Sequence, residues 1–201
     1  MGIRNAIRIM TKAVGFGVYP HQLSWLLHVP LRRIIMSPQK VANRLNLKKD
    51  YEVLEIGPGS GYFSVEVAHR LTKGHLQLYD IQQEMLENAK VRLQAQNLNN
   101  IGFTQGNGTK LPFEEQQFDV VFMVAVLGEI ADQSACLRSI IRVLKIGGVL
   151  SITEHLPDPD FKTLSEVKSL VELQRFQFLS SEGSRWAYTA NFMKTNGRLA
   201  S

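Results

Sequence analysis

The chain has a single cysteine, Cys136, among its 201 residues. That scarcity excludes a disulfide framework and a cysteine-based metal centre, and it makes a reducing compartment the default. Long apolar runs are missing too: none approaches the roughly 20 residues that cross a bilayer. A cytoplasmic location is therefore expected. Acids are nearly absent at one end. Residues 1–50 carry nine Lys/Arg and one acid, Asp50, whereas residues 51–201 carry fourteen bases against seventeen acids. The formal charge of +5 thus belongs to the N-terminal segment. Internal repeats and low-complexity stretches are also absent. What remains, 44% hydrophobic and 20% charged residues, is the composition of an ordinary globular domain.

The basic segment reads as helices. Ile3, Ala6, Ile7, Met10, Ala13 and Val14 share one helical face, with Arg4, Arg8 and Lys12 elsewhere. Residues 21–36 are Leu-rich around Trp25 and broken by Pro30, and Ser37-Pro38 is a helix start. Arg8 and Lys12 interrupt any signal-peptide core. Two roles fit: a lid folded over a ligand site, or peripheral contact of residues 1–14 with an anionic membrane. A merely solvated basic face fits the charge as well. His21 and His28 lack a third ligand nearby, so no metal site is expected. The division expected is a helical lid or appendage over 1–50 and a ligand-binding domain over 51–201.

From Tyr51 onward short apolar runs alternate with amphipathic stretches. Strands are predicted at 51–56, 75–79, 101–105, 118–124 and 147–154, with helices near 62–72, 83–96, 131–145 and 162–175. Continuous apolar strands separated by helices imply a parallel sheet covered on both faces. Phe176–Leu179 and Trp186–Met193 flank Ser-Ser-Glu-Gly-Ser and read as an antiparallel hairpin at one edge. The fold expected is α/β, a doubly wound, mostly parallel, Rossmann-like sheet of seven strands.

The most informative stretch is Val-Leu-Glu-Ile-Gly-Pro-Gly-Ser-Gly, residues 53–61, which runs off the first strand into a helix. Gly57, Gly59 and Gly61 allow a sharp turn and close approach of backbone to a ligand. The dinucleotide pattern G-x-G-x-x-G places its third glycine one position later, where this chain has Tyr62. Glu55, just ahead of the turn, would oppose a bound pyrophosphate and suits a cationic ligand such as S-adenosylmethionine. Asp80 ends the next strand, about 20 residues on, where a carboxylate accepts hydrogen bonds from both ribose hydroxyls. Ile81 follows and is placed to cover an adenine face.

Five pieces now stand in order: VLEIGPGSGYFS (53–64), LYDIQQEML (78–86), GNGTKLPF (106–113), FDVVFMVAVLGEI (118–130) and VLKIGGVLSITE (143–154). Together they resemble the class I S-adenosylmethionine-dependent methyltransferases, in the small-molecule group that includes the ubiquinone methylases. The resemblance implies that Glu55, Gly57, Gly59 and Gly61 hold the methionine part and Asp80 the ribose. It also implies that Asn107 and its neighbour Gly108 meet the adenine amino group. The family commonly has Asp at the position of Asn107; Asn keeps an acceptor oxygen there.

Ala125-Val126-Leu127-Gly128-Glu129 lacks the Asn/Asp-Pro-Pro-Tyr pattern of nucleic-acid and glutamine methylases, so a small-molecule or lipid-like acceptor is expected and nucleic acid is not. Glu129 and His155 follow strands at the ligand-bearing edge and are the candidate bases. Two alternatives share the sheet: a nicotinamide-dependent oxidoreductase, and a non-catalytic protein that binds S-adenosylmethionine or docks a partner. Calorimetry separates them. S-adenosylmethionine and its demethylated product should bind without competition from NAD; tight NAD binding would refute the reading of Glu55.

Overall fold

The computed structural model describes residues 36–196. The amphipathic face of residues 1–14, His21, Trp25 and His28 lie outside the described residues, and with them the lid and membrane expectations. Helix α1 (Pro38–Arg44) begins at Ser37-Pro38. The Ser37 hydroxyl donates to the Gln39 side chain at 2.8 Å rather than capping a backbone N–H. Val41, Ala42 and Leu45 bury this helix against the sheet.

The chain then alternates β1 (Glu52–Ile56), α2 (Ser64–Arg70), β2 (His75–Asp80), α3 (Gln83–Gln94), β3 (Ile101–Gln105) and β4 (Phe118–Val124). A 3-10 turn (Leu127–Glu129), α4 (Gln133–Val143), β5 (Leu144–His155), α5 (Leu164–Glu172), β6 (Phe176–Ser184) and β7 (Ala187–Lys194) complete it. The seven strands lie in the order β3-β2-β1-β4-β5-β7-β6. β1 to β5 are parallel, and β7 runs antiparallel between β5 and β6. The expected α/β architecture with an antiparallel edge hairpin is present.

Both faces of the central strands are covered. Leu54, Val121, Leu150 and Ile152 enter one core with α4 and α5; Val53, Val120 and Phe122 enter the other with α1, α2 and α3. With both parities buried, these strands read as unbroken apolar runs. The two halves of the chain wind away from each other on either side of the β1–β4 pair. That leaves a crevice at the carboxyl ends, where open α/β sheets bind ligands.

Two predicted boundaries shift, each for a local reason. The expected helix over 131–145 stops at Val143, and Leu144 already pairs with Phe118. The pairing then slips, so that Val120 meets Val149, and Gly147 in the slipped stretch has φ +76°. Gly147-Gly148 therefore accommodates a bulge inside a strand instead of ending a helix. The Ser-Ser-Glu-Gly-Ser stretch, read as a turn, is strand: β6 continues to Ser184, which pairs with Ala187 across Arg185 and Trp186. Turn-forming composition is overridden there by pairing with β7.

Candidate functional site

Glu55 is the fourth residue of β1 and is buried, 2% exposed, under the turn that follows. Its Oε2 accepts the Ser64 hydroxyl, from the first residue of α2, at 2.5 Å. Burial lifts its carboxyl from an ordinary 4.5 to about 8; Ser64 opposes this and the nearby Asp80 adds to it. Gly57, Gly59 and Gly61 all have positive φ, at +67°, +52° and +75°. At Gly57 a Cβ would also collide with the Val126 side chain, so the turn is pressed onto the segment leaving β4.

Asp80 ends β2 beside this turn and is also buried. Its Oδ2 accepts the Gly59 N–H at 3.3 Å and its Oδ1 accepts the Gln82 N–H at 2.9 Å, at the start of α3. Burial raises its pKa, and the backbone donors oppose the rise. Glu55, Gly57, Gly59, Gly61 and Asp80 thus form one cradle with two carboxyls, and Ile81 stands half exposed at its rim. Asn107 is exposed in the loop after β3, and its Oδ1 accepts from the Thr109 N–H at 3.2 Å and the Thr109 hydroxyl at 2.8 Å. The neighbouring Gly108 is buried, with φ +78°, and its N–H donates to the Tyr79 hydroxyl at 3.4 Å.

The candidate bases occupy different surroundings. Glu129 lies in the 3-10 turn and is partly buried, within electrostatic reach of Glu154. His155 ends β5 and is 6% exposed, with Nδ1 at 3.4 Å from the Leu156 carbonyl oxygen. It pairs with Ala187, on the α1–α3 side of the sheet, whereas Glu154 pairs with Tyr188 on the α4–α5 side. Glu154 did not stand out in the sequence. It is 1% exposed, and burial pushes its carboxyl up to about 8, with Asp158 and Glu129 adding to the rise. Ser139 and Arg142 of α4 were missed as well. The Ser139 hydroxyl accepts the Leu111 N–H at 2.8 Å, and Arg142 donates to the Leu111 and Phe113 carbonyls at 2.6 and 2.8 Å, fixing the loop that carries Asn107.

A separate cleft of about 510 Å³, bordered by Arg44, Lys48, Tyr51, Lys145 and Asn191, opens at the amino ends of the strands. It contains none of the predicted cofactor residues. Among the described residues no cluster of His, Cys, Asp or Glu could hold a metal, and no helix is long and apolar enough to cross a membrane.

The cradle suits a ligand with a positive charge and a ribose. It supplies acids at the ends of two adjacent strands and a backbone turn that a Cβ would fill. These are the residues that the sequence resemblance assigned to S-adenosylmethionine, here brought together by the fold. The chain belongs to the methyltransferase domain family, which it matches over residues 47–193, and S-adenosylmethionine is its cofactor. A ubiquinone/menaquinone biosynthesis C-methyltransferase UbiE from Shewanella sp. (strain W3-18-1) is 34% identical over 105 residues, 51% of this chain and 42% of the relative. The Shewanella oneidensis UbiE is 28% identical over 149 residues, 71% of this chain and 59% of the relative. The chain thus spans less than two thirds of those relatives' length. A solved S-adenosylmethionine-dependent methyltransferase from Aquifex aeolicus shares the fold at a TM-score of 0.82 and 21% identity, over 89% of this chain and all of that one. The [4+2]-cyclase SpnF shares it at 0.71 and 18% identity, over 80% of each chain.

Two predictions follow from the cradle. Because the folded chain holds the Glu55 proton up to about pH 8 and the unfolded chain releases it near 4.5, Glu55 costs stability progressively as pH rises through that window. Glu55→Gln should therefore gain stability relative to the native chain between pH 5 and 8 in urea titrations, while losing affinity for S-adenosylmethionine. A stability difference that does not change with pH would mean that Glu55 is ionised in the folded chain. Asp80→Ala should weaken S-adenosylmethionine binding by about 1.5–3 kcal/mol for each charge-assisted hydrogen bond lost. Calorimetry at one salt concentration measures this, and near-native affinity would place the ribose elsewhere.

Proposed function

We propose that the protein transfers the methyl group of S-adenosylmethionine to a ring carbon of a small, uncharged, quinol-like acceptor. The observation that supports the donor half is the pairing of Glu55 and Asp80 across the glycine turn, with Gly59 bonded to Asp80. The acceptor half rests on the likeness to the UbiE relatives and on the charge of the neighbouring edge. Glu129, Asp158 and Asp160 follow β4 and β5, with Lys162 as the nearby cation. Such an edge opposes phosphate- or carboxylate-bearing acceptors and leaves a neutral phenolic ring acceptable.

The bound cofactor supplies an already activated methyl group on a sulfonium. The chain's work is to hold the two reactants in line and to exclude water. A ring carbon that gained this methyl group would have to give up its proton, and the chain would have to receive that proton. Glu129 and His155 are the groups we assign to receive that proton, Glu129 from the segment after β4 and His155 from the end of β5. In this proposal Glu55 and the three glycines hold the methionine part and Asp80 the ribose. Asn107, Gly108 and Ile81 surround the adenine. Asn107 would meet the adenine amino group by sharing the oxygen now bonded to Thr109.

The test is transfer of a labelled methyl group from S-adenosylmethionine to a short-chain demethylated naphthoquinol, followed by mass spectrometry. The label should appear on a ring carbon, and Glu129→Gln or His155→Ala should cut turnover by about 10²–10⁴-fold if that residue is the base. Cofactor binding without transfer to the quinol, alongside labelling of another metabolite in a cell extract, would replace the acceptor and keep the reaction class.

A further inference from the structure

We propose that Glu154 is a positioning residue of the acceptor side, gripping the Lys162 backbone so that residues 156–163 stay seated against residues 125–130. This assignment rests on the functional reading above only in calling that edge the acceptor side; the grip itself is read from the chain.

Glu154 is the penultimate residue of β5, and Tyr188 lies opposite it on β7. Glu154 Oε2 accepts the Lys162 N–H at 3.3 Å, and the Tyr188 hydroxyl donates to the Lys162 carbonyl at 2.8 Å. Two adjacent strands therefore hold one residue of the loop by both its backbone groups. The preceding Phe161 is buried, with its ring edge-on to Tyr188 at 6.2 Å. One residue further back, the Asp160 backbone lies so close to Gly128 that a Cβ there would collide with its carbonyl. The 125–130 segment is itself tied down. Ala125 adopts φ +55°, its N–H donates to the Thr153 carbonyl at 2.8 Å, and Val126 fills the space over Gly57. An unbroken line of contacts thus runs from the glycine turn through Val126, Gly128 and Asp160 to the residue that Glu154 holds.

Burial outweighs the Lys162 N–H and ammonium, which favour the ionised carboxyl, and has Asp158 and Glu129 on its side. Glu154 Oε1 is buried and has no hydrogen-bond partner among the described residues. The groups facing the carboxyl are Glu129 from the 3-10 turn, Asp158 and Lys162 from the loop, and Tyr188 from β7, with Glu166 of α5 near that phenol. Three of these are acids, and Lys162 is the cation in the set. In its neutral form Glu154 accepts the Lys162 N–H without carrying a charge into this surround. Once ionised it repels Glu129 and Asp158, and water must enter to solvate it. The loop is the movable wall, so ionisation should loosen the loop and leave the strands in place.

Hydrogen exchange on the full chain without any acceptor tests this, read at the Lys162 amide after correction for the intrinsic pH dependence of exchange. In the native chain protection should fall as pH rises through about 8. Glu154→Gln, an isostere of the neutral acid, should keep the protection and abolish the pH dependence. Glu154→Ala should exchange at least tenfold faster at every pH, and Tyr188→Phe should give an intermediate rate. Amides of β1 and β4 report whether each variant is folded. If Glu154→Ala is not, the Glu154→Gln pH profile and Tyr188→Phe decide. Unchanged Lys162 protection in a folded Glu154→Ala or Tyr188→Phe variant, or retained pH dependence in Glu154→Gln, would overturn the grip. A confirmed grip without methyl transfer to the quinol would instead overturn the acceptor reading alone.

Discussion

Two carboxyl groups at the ends of neighbouring strands, both buried and both resisting ionisation, are the constraint around which the ligand edge is built. Asp80 adds to the cost of charging Glu55, and no ion pair among the described residues reaches either carboxyl. The chain meets this with neutral donors. The Ser64 hydroxyl serves Glu55, and the backbone N–H groups of Gly59 and Gln82 serve Asp80. The positions of α2 and α3 follow from this, because both helix starts supply donors to the pair. An apolar pair in the same places would be more stable and would hold no cation. The site thus trades stability for affinity, as buried acids in ligand sites generally do.

The same economy extends to the other half of the edge. Glu154 is a third buried acid, at the end of β5, and it too is answered by a backbone N–H. A domain that makes its carboxyls costly to ionise within a parallel sheet can place them where a neighbouring charge or a moving loop shifts their ionisation. The contacts at Gly57 and Gly128 then tie the glycine turn to the loops beyond β4 and β5. Small residues at these two points are a matter of backbone approach, and at Gly57 of backbone conformation also.

Much of this was legible in the sequence because it is local. A glycine turn between an apolar run and a helix, an acid ahead of it and another at the end of the following strand need no tertiary knowledge. The parallel sheet was legible from strands buried on both faces. The parts that escaped depend on partners distant in the chain. Glu154 reads as a polar strand end until Lys162 and Tyr188 are brought to it, and Arg142 reads as a surface helix residue until the Leu111 and Phe113 carbonyls reach it. Asn107 was read for its chemistry, but its engagement with Thr109 is a conformational fact. The bulge at Gly147 misled for a related reason: glycine signals a break in regularity without saying whether the element around it is helix or strand.

The polar run that ends β6 has a consequence of its own. A sheet of this kind has two open margins, and each is a row of unused backbone groups that another polypeptide could extend. Ser180, Ser181, Glu182, Gly183 and Ser184 form the later part of the outermost row on one side, with Gly183 at φ +119° disturbing its regularity. Nothing in that part offers an apolar side chain to a neighbouring strand, and Glu182 carries charge into it. The half of that margin which composition marks as a turn therefore gives a foreign strand little to pack on, in contrast to the half-exposed Leu179 just before it.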